Sequence, residues 1–224
     1  MKTLIFVDGQ NLFYSLKRME LKVGQVHWGN FFDSCLEAKD QLIRAYWYQA
    51  EKINRPRIDE ERTRRVVQKE HPHLSKEEMD SCVKSREMDA LKWWDQTSKK
   101  YRKQLDFYDH LSRNFPQIEM VRRGLIKVDP FNERFLTEKG VDVALAVGMM
   151  RHQKNCDKII LISGDMDYGE AVRLVKDEMK IVHIVRLFIG EPPRNKNLSK
   201  DFATLADRVI DMYESEIKKE YVHR

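Results

Sequence analysis

The protein has 224 residues, of which 42% are hydrophobic and 34% are charged, the balance of a globular protein with an unusually ionic surface. This length can form one sizeable core, and the lack of any apolar run near the roughly 18 residues of a membrane-spanning helix argues against a membrane protein. The net charge of +5 favours a polyanionic partner such as nucleic acid. Three widely spaced cysteines without a C-x-x-C pair predict neither a disulfide framework nor a zinc site, and they favour the cytoplasm.

The pattern of apolar residues predicts strands that alternate with helices along the chain. The predicted strands cover residues 4–7, 42–48, 158–163 and 180–187, and a third strand region combines residues 117–121 with 125–128 around a bend at Arg123-Gly124. Helical spacing is found at residues 12–16, 28–36 and 167–178. In the last of these, Ala171, Leu174 and Val175 form the predicted inner face. This alternation predicts an α/β fold in which helices flank a parallel sheet.

Residues 54–114 differ from the rest of the chain because they are dense in charged residues and lack glycine. Ser75 and Glu78 have the spacing of a capping box, which predicts a helix start just after Pro72. We interpret this region as two or three helices, of which those within about residues 54–100 are an elaboration of the fold. The domain prediction is one domain over residues 1–213 that includes this helical elaboration, followed by a charged C-terminal tail over residues 214–224.

Carboxylates follow the predicted strands at several points of the chain, namely Asp8, Asp142, Asp165 and Asp167. Because ligands of parallel α/β sheets bind beyond the carboxyl ends of the strands, we expect these side chains to share one cleft. Converging carboxylates repel each other, so their ionised forms need a cation. Oxygen-only ligands favour Mg²⁺ or Mn²⁺, and such a metal can activate a water that hydrolyses a phosphodiester.

A structural role is the alternative for each of these residues. The four aspartates all stand near predicted helix starts, where aspartate commonly serves as an N-cap. Their shared location at strand ends favours the functional interpretation. Asn11 either orients the substrate or a metal-bound water, or it only serves the turn into the first helix. Thr137 and Ser163 are further candidates at the same edge of the sheet.

Three segments in this order resemble the signature blocks of the NYN domain. They read FVDGQNL at residues 6–12, KGVDVAL at residues 139–145 and SGDMDY at residues 163–168. Their order and separation fit the LabA-like branch of these PIN-like nucleases. The resemblance covers nearly the whole chain outside the helical elaboration.

The resemblance implies a Rossmann-like, PIN-type fold, a Mg²⁺ or Mn²⁺ cofactor and ribonuclease activity. It places metal ligands at Asp8, Asp142 and Asp165, and it gives supporting catalytic roles to Asp167 and Asn11. The predicted function is therefore a cytoplasmic, metal-dependent ribonuclease that hydrolyses RNA phosphodiesters with a metal-activated water.

Gly148 is a departure from the family pattern, because the family often has another aspartate at this point of the helix. It keeps open an alternative function, a catalytically silent RNA-binding or adaptor protein on the same fold. A phosphatase of the haloacid-dehalogenase type is disfavoured, because its chemistry needs an acid two residues after Asp8 and this chain has Gln10 there.

Basic residues are tentative contacts for RNA, which we expect to be single-stranded. Those near the third predicted strand and the second motif are Arg122, Arg123, Lys127 and Lys139, and those after a Pro-Pro loop are Arg194, Lys196 and Lys200. Lysine and arginine contact phosphate without sequence preference. The alternative for each one is a solvated charged surface. A homodimer is possible from the sequence.

Overall fold

The structure, a computed structural model, describes residues 1–190, 192–193 and 200–222 and divides into two compact units. The main unit comprises Met1–Gln49, Asp109–Arg123 and Val141–Arg224. The inserted unit comprises Ala50–Tyr108 and Gly124–Gly140.

The described elements alternate between strands and helices through most of the main unit. In chain order they are β1 (Lys2–Asp8), α1 (Gly9–Arg18), α2 (Trp28–Ser34), β2 (Gln41–Gln49), β3 (Lys52–Ile53), α3 (Glu60–Glu70), α4 (Lys76–Asn114), β4 (Ile118–Arg122), β5 (Leu125–Asp129), β6 (Arg134–Lys139), α5 (Val141–His152), β7 (Lys158–Ile162), α6 (Gly169–Asp177), β8 (Ile181–Phe188), α7 (Lys200–Leu205), β9 (Arg208–Tyr213) and α8 (Glu214–Glu220). Short 3₁₀ turns cover Val23–Gln25, Gln153–Asn155 and Met166–Tyr168.

The main unit is built on a six-stranded sheet in the order β4-β2-β1-β7-β8-β9, and every neighbouring pair is parallel. This confirms the predicted α/β fold with a PIN-type parallel sheet. The chain builds outward from β1 to one side through β2 and β4, and to the other side through β7, β8 and β9. The order of strands therefore reverses beside β1, which is where parallel α/β sheets bind their ligands.

Helices cover both faces of this sheet, which explains why its central strands are apolar on both sides. Phe6 of β1 and Ile160 of β7 are fully buried. On one face the ring of Trp47 packs against Trp28 of α2, with ring centroids 4.6 Å apart. On the other face Tyr48 lies against Gly148 of α5.

The strand region predicted over residues 117–121 and 125–128 is extended in both segments, but it is not one bent strand. It forms two strands, β4 in the six-stranded sheet and β5 in a separate three-stranded sheet. The break falls at Gly124, whose φ of +72° is a conformation that residues with a side chain rarely adopt. A Cβ at Gly124 would also come within 2.1 Å of the Lys139 carbonyl oxygen.

The ends of the segment 124–140 meet. A Cβ placed at Gly140, where φ is +84°, would lie 3.5 Å from the Cα of Gly124. The chain therefore enters and leaves the β5–β6 hairpin at one place.

The inner face of α6 also differs from the predicted one. Ala171 and Val175 are buried as expected, but Leu174 is 40% exposed and Val172 takes its place in the core. The helix begins at Gly169 after a 3₁₀ turn, two residues later than predicted. The helix that starts at Gly169 buries the face that carries Val172 and Val175.

The inserted unit contains α3, most of α4 and the sheet β3-β5-β6. The Ser75 amide donates to the Glu78 carboxylate at 2.9 Å and the Glu78 amide donates to the Ser75 hydroxyl at 3.4 Å, which confirms the predicted capping box. Two helices fill the region predicted to hold two or three. The unit extends beyond residues 54–100, because it also takes in the β5–β6 hairpin.

The C-terminal residues predicted as a charged tail include α8, in which Ile217 is fully buried. Among the helices that the structure describes, none is both long enough and apolar enough to cross a bilayer.

Candidate active site

The carboxylates predicted to cluster follow neighbouring elements of the main unit. Asp8 is the last residue of β1, Asp142 is the second residue of α5, and Asp165 follows β7, the neighbour of β1. β1 and β7 are the strands at which the order of the sheet reverses. The parallel sheet thus brings Asp8 and the loop after β7 to the same carboxyl edge.

Asp8 is 4% exposed and is held by three hydrogen bonds. The Asn11 amide donates to Oδ1 at 2.9 Å, which makes Asp8 the N-cap of α1. The Ser163 hydroxyl donates to Oδ2 at 3.0 Å. Burial raises the pKa of Asp8 and the charge of Asp142 raises it further, while these hydrogen bonds oppose the rise. The N-cap and the functional interpretation therefore apply to the same residue.

Tyr168 joins two of the predicted metal ligands. Its hydroxyl lies 3.3 Å from Asp8 Oδ2 and 3.2 Å from Asp142 Oδ1. Burial raises the pKa of Tyr168, and the charges of Asp8, Asp142 and Asp165 raise it further. A hydroxyl has one hydrogen to donate, so it cannot neutralise both carboxylates at once. Sequence reasoning missed Tyr168, although it is the last residue of the SGDMDY segment.

Backbone amides organise the loop that carries Asp165 and Asp167. The Asp165 amide donates to the Ser163 hydroxyl at 3.1 Å, and the Asp167 amide donates to Asp165 Oδ1 at 3.0 Å. The Gly164 amide reaches the side-chain oxygen of Asn11 at 3.4 Å. Asn11 and Ser163 thus connect the Asp8 turn to the Asp165 loop. Asp167 is exposed.

The donor chemistry of this cluster fits a hard divalent cation, because its acidic groups offer only oxygen ligands. Asp8 and Asp142 share one hydroxyl donor, and a bound cation would offset both the burial and the repulsion that raise the pKa of Asp8. Within the described part of the chain, no three His, Cys, Asp or Glu side chains are gathered closely enough to form a metal-binding group. Asp165 would have to join the other two carboxylates on binding.

Gly148 is explained by packing against Tyr48, the residue that pairs with Asp8 in the β1–β2 register. A Cβ at Gly148 would lie 1.9 Å from the Tyr48 hydroxyl oxygen and 2.8 Å from the adjoining ring carbon. Tyr48 is itself 3% exposed, and burial raises its pKa to about 12. No acidic side chain fits at position 148 while Tyr48 keeps this position.

The tentative RNA contacts are divided between the two units. In the main unit, Arg122 pairs with Asp109 at 2.5 Å and Arg123 is exposed. The inserted unit carries Lys127 and Lys139, and it also carries Thr137, the further candidate predicted at the edge of the sheet. The Thr137 hydroxyl donates to the Glu138 carbonyl at 3.0 Å. Arg194, Lys196 and the side chain of Lys200 lie outside the described residues.

A PIN-like α/β domain is the class that this sheet and its edge of carboxylates define. The sequence profile of the NYN domain family matches residues 78–214. The chain therefore belongs to the NYN domain family, a family of PIN-like nucleases. The match does not distinguish branches of the family, so the LabA-like assignment stays a prediction.

One solved structure shares the fold over almost the whole chain. It is a protein of unknown function from Vibrio parahaemolyticus, with 15% sequence identity and a TM-score of 0.54. The similarity covers 94% of this chain and 92% of that one. A comparison with functionally curated proteins gives no significant match.

Proposed function

We propose that this protein is a divalent-metal-dependent ribonuclease whose centre is formed by Asp8, Asp142 and Asp165. The observation that carries the proposal is the shared hydrogen bonding of Asp8 and Asp142 to one hydroxyl at the carboxyl edge of the sheet. Two acidic groups from distant parts of the sequence meet there at the Tyr168 hydroxyl. Membership of a nuclease family supports phosphodiester hydrolysis as the reaction.

The residues of the proposed centre have metal-binding and positioning roles. Asp8, Asp142 and Asp165 would hold Mg²⁺ or Mn²⁺, and the bound ion would stabilise charge on the phosphate and ease the ionisation of water. Asn11 and Ser163 fix the Asp8 carboxylate and the loop after β7 through their hydrogen bonds. Asp167, which is exposed in the same loop, would orient the substrate or the attacking water.

The proposed reaction is hydrolysis. Water attacks phosphorus, the bond between phosphorus and the 3′ oxygen breaks, and a proton passes to that oxygen. The products are then a 5′-phosphate and a 3′-hydroxyl end. Attack by the RNA 2′-hydroxyl would instead give a 2′,3′-cyclic phosphate.

The experiment is incubation of purified protein with end-labelled single-stranded RNA in Mn²⁺, Mg²⁺ or EDTA. We expect cleavage in Mn²⁺ or Mg²⁺ but not in EDTA, with 5′-phosphate products. Asp165→Asn should lower the cleavage rate by about a hundredfold or more, because mutating even a residue that only contacts a metal ligand lowers metal affinity or activity by about 10–100-fold. Asp177→Asn is the matched control, since it removes one exposed acid from the same unit. Full activity of Asp165→Asn, or cyclic-phosphate products, would refute the proposed centre.

The alternative is a catalytically silent RNA-binding or adaptor protein on the same fold. Gly148 favours it, because Tyr48 fills the space into which an acidic side chain of α5 would project. RNA binding without cleavage in either metal ion would support this second function.

A further inference from the structure

The three-stranded sheet of the inserted unit has one buried face and one basic face. Ile53, Ile126 and Glu138 are at most 9% exposed and lie side by side in the strand register. Successive side chains of a strand point to opposite faces. The neighbouring residues on all three strands therefore point away from the buried side.

Three lysines occupy that opposite face. Lys52 pairs with Leu125, and Leu125 pairs with Lys139, so these residues form one row across the sheet. Lys127 pairs with Thr137 in the next row. All three lysines are exposed in the full chain. Two interstrand spacings separate β3 from β6, about 10 Å in all.

The ammonium groups of these lysines make no hydrogen bond or ion pair with any described residue. Asp129, two residues beyond Lys127, is already paired with Arg134 at 3.6 Å and hydrogen-bonded to Asn132 at 2.7 Å. Its charge is therefore engaged within its own hairpin.

Three arginines of α3 and the segment before it differ from these lysines. Arg57, Arg64 and Arg65 each pair with acidic side chains of the same unit. An ordinary solvated surface intersperses both signs in this way. The lysine face departs from that arrangement and leaves three positive charges for an external anion.

We propose that the face formed by Lys52, Lys127 and Lys139 binds the phosphodiester backbone of single-stranded RNA. The choice of RNA rests on the proposed function, since the lysines alone recognise phosphate. Lysine ammonium groups act as point charges and contact phosphate without reading bases. Lys139 also belongs to the KGVDVAL segment, one of the sequence blocks that resemble the NYN domain.

The test is fluorescence anisotropy with a labelled single-stranded RNA in EDTA, at several salt concentrations. Each phosphate contact on a single strand contributes about 0.7 to the dependence of log affinity on log salt, so Lys52→Gln/Lys127→Gln/Lys139→Gln should lower the slope by about 2. At low salt, roughly 50 mM, we expect about tenfold weaker binding or more. Lysine-to-arginine changes at the same positions should keep the wild-type slope.

The matched control is Lys69→Gln/Lys84→Gln/Lys92→Gln, which removes the same charge from exposed helical positions of the inserted unit. It should bind RNA with nearly the wild-type slope, and both triple variants should melt as the wild type does. A wild-type slope in the lysine-face variant, or an equal loss in the control, would overturn the proposal. Because the assay measures binding and needs no cleavage, its result is independent of the ribonuclease proposal. The lysine face can bind RNA in a protein that does not cleave it, and a ribonuclease can lack this binding face.

Discussion

Gly148 and Tyr48 show how two effects of opposite sign compete at one residue. Glycine in a helix interior normally costs about 1 kcal/mol relative to alanine, so Gly148→Ala would stabilise an open helix. At this position the added Cβ meets the Tyr48 hydroxyl at 1.9 Å, and both residues are buried. Overpacking of this kind costs about 1–3 kcal/mol and outweighs the gain in helix propensity.

We therefore expect Gly148→Ala to lower the free energy of unfolding by up to about 2 kcal/mol, the overpacking cost of about 1–3 kcal/mol less the propensity gain of about 1 kcal/mol. Tyr48→Phe should relieve part of this loss, because the oxygen contact disappears while the ring carbon stays 2.8 Å from the new Cβ. Urea denaturation of the single and double variants measures this coupling. Gly29→Ala in α2 is the control, since its nearest neighbours lie at 3.3 Å or beyond. Stabilisation by Gly148→Ala alone would contradict this account.

At the residue scale, the sequence places the carboxylates but not their partners. Asp8 and Asp165 follow apolar runs, so a parallel sheet must bring them to one edge. The Tyr168 hydroxyl between Asp8 and Asp142 depends on how α5 and the loop after β7 pack in space. The same holds for the contact of Tyr48 with Gly148, because periodicity predicts which face a residue is on but not which side chain meets it.

At the element scale, an ion cluster fixes the amino-terminal edge of the six-stranded sheet. Lys158, at the start of β7, has a fully buried side chain that donates to Glu37 at 2.6 Å and to Asp40 at 2.7 Å. Arg208 of β9 also reaches Glu37, at 2.7 Å. His183 of β8 is 4% exposed and pairs with Arg208 in the strand register. The cluster joins the turn before β2 to three other strands.

His183 gives this cluster a predictable response to pH. Burial lowers the pKa of His183, and the charge of Lys158 lowers it further. The unfolded chain takes up a proton near pH 6.5, whereas the folded protein does so only at lower pH. The unfolded state then binds more protons, so stability falls as the pH drops below about 6.5. Hydrogen bonds from Lys158 and Arg208 lower the pKa of Glu37 to about 2, so Glu37 stays ionised throughout this window.

His183→Gln should remove this contribution, so the free energy of unfolding should fall less between about pH 7 and pH 5 than in the wild type. Urea denaturation at several pH values measures the difference. His110→Gln replaces an exposed histidine of the main unit and serves as the control. An unchanged pH dependence in His183→Gln would show that His183 does not couple folding to pH.

The central elements were predictable because each carries its own signal. β1 and β7 are short continuous apolar runs, and the capping box at Ser75 marks the start of α4. The division between β4 and β5 was not predictable, because one apolar pattern serves two sheets and pairing partners lie far away in sequence. β6 was not predicted, because its two apolar residues, Phe135 and Leu136, are adjacent in sequence and do not alternate with polar residues.

At the scale of the whole molecule, the boundary of the helical elaboration can be tested by deletion. Replacing residues 54–100 with a short linker removes Arg62 from the ring of Phe131 and Trp93 from the ring of Phe135. It leaves the buried side of the β5–β6 hairpin without its helices. We expect this variant to aggregate or to melt below a second variant that also replaces residues 125–139.

Size-exclusion chromatography and thermal melting compare the two deletions. Wild-type melting of the first variant would support the boundary predicted from the sequence, with residues 54–100 as a separable elaboration. If the second variant aggregates less than the first and melts at a higher temperature, the hairpin and the helices fold as one cooperative unit.

The meeting of Gly124 and Gly140 bears on how such a protein can change over generations. A stretch of chain whose two ends touch can be acquired or lost without displacing the elements before and after it. A descendant without the hairpin would need only a brief turn to connect Arg123 with Val141. Gly124 and Gly140 then lie at the point where the hairpin joins the rest of the chain. Related proteins that keep the hairpin should keep small residues at both positions.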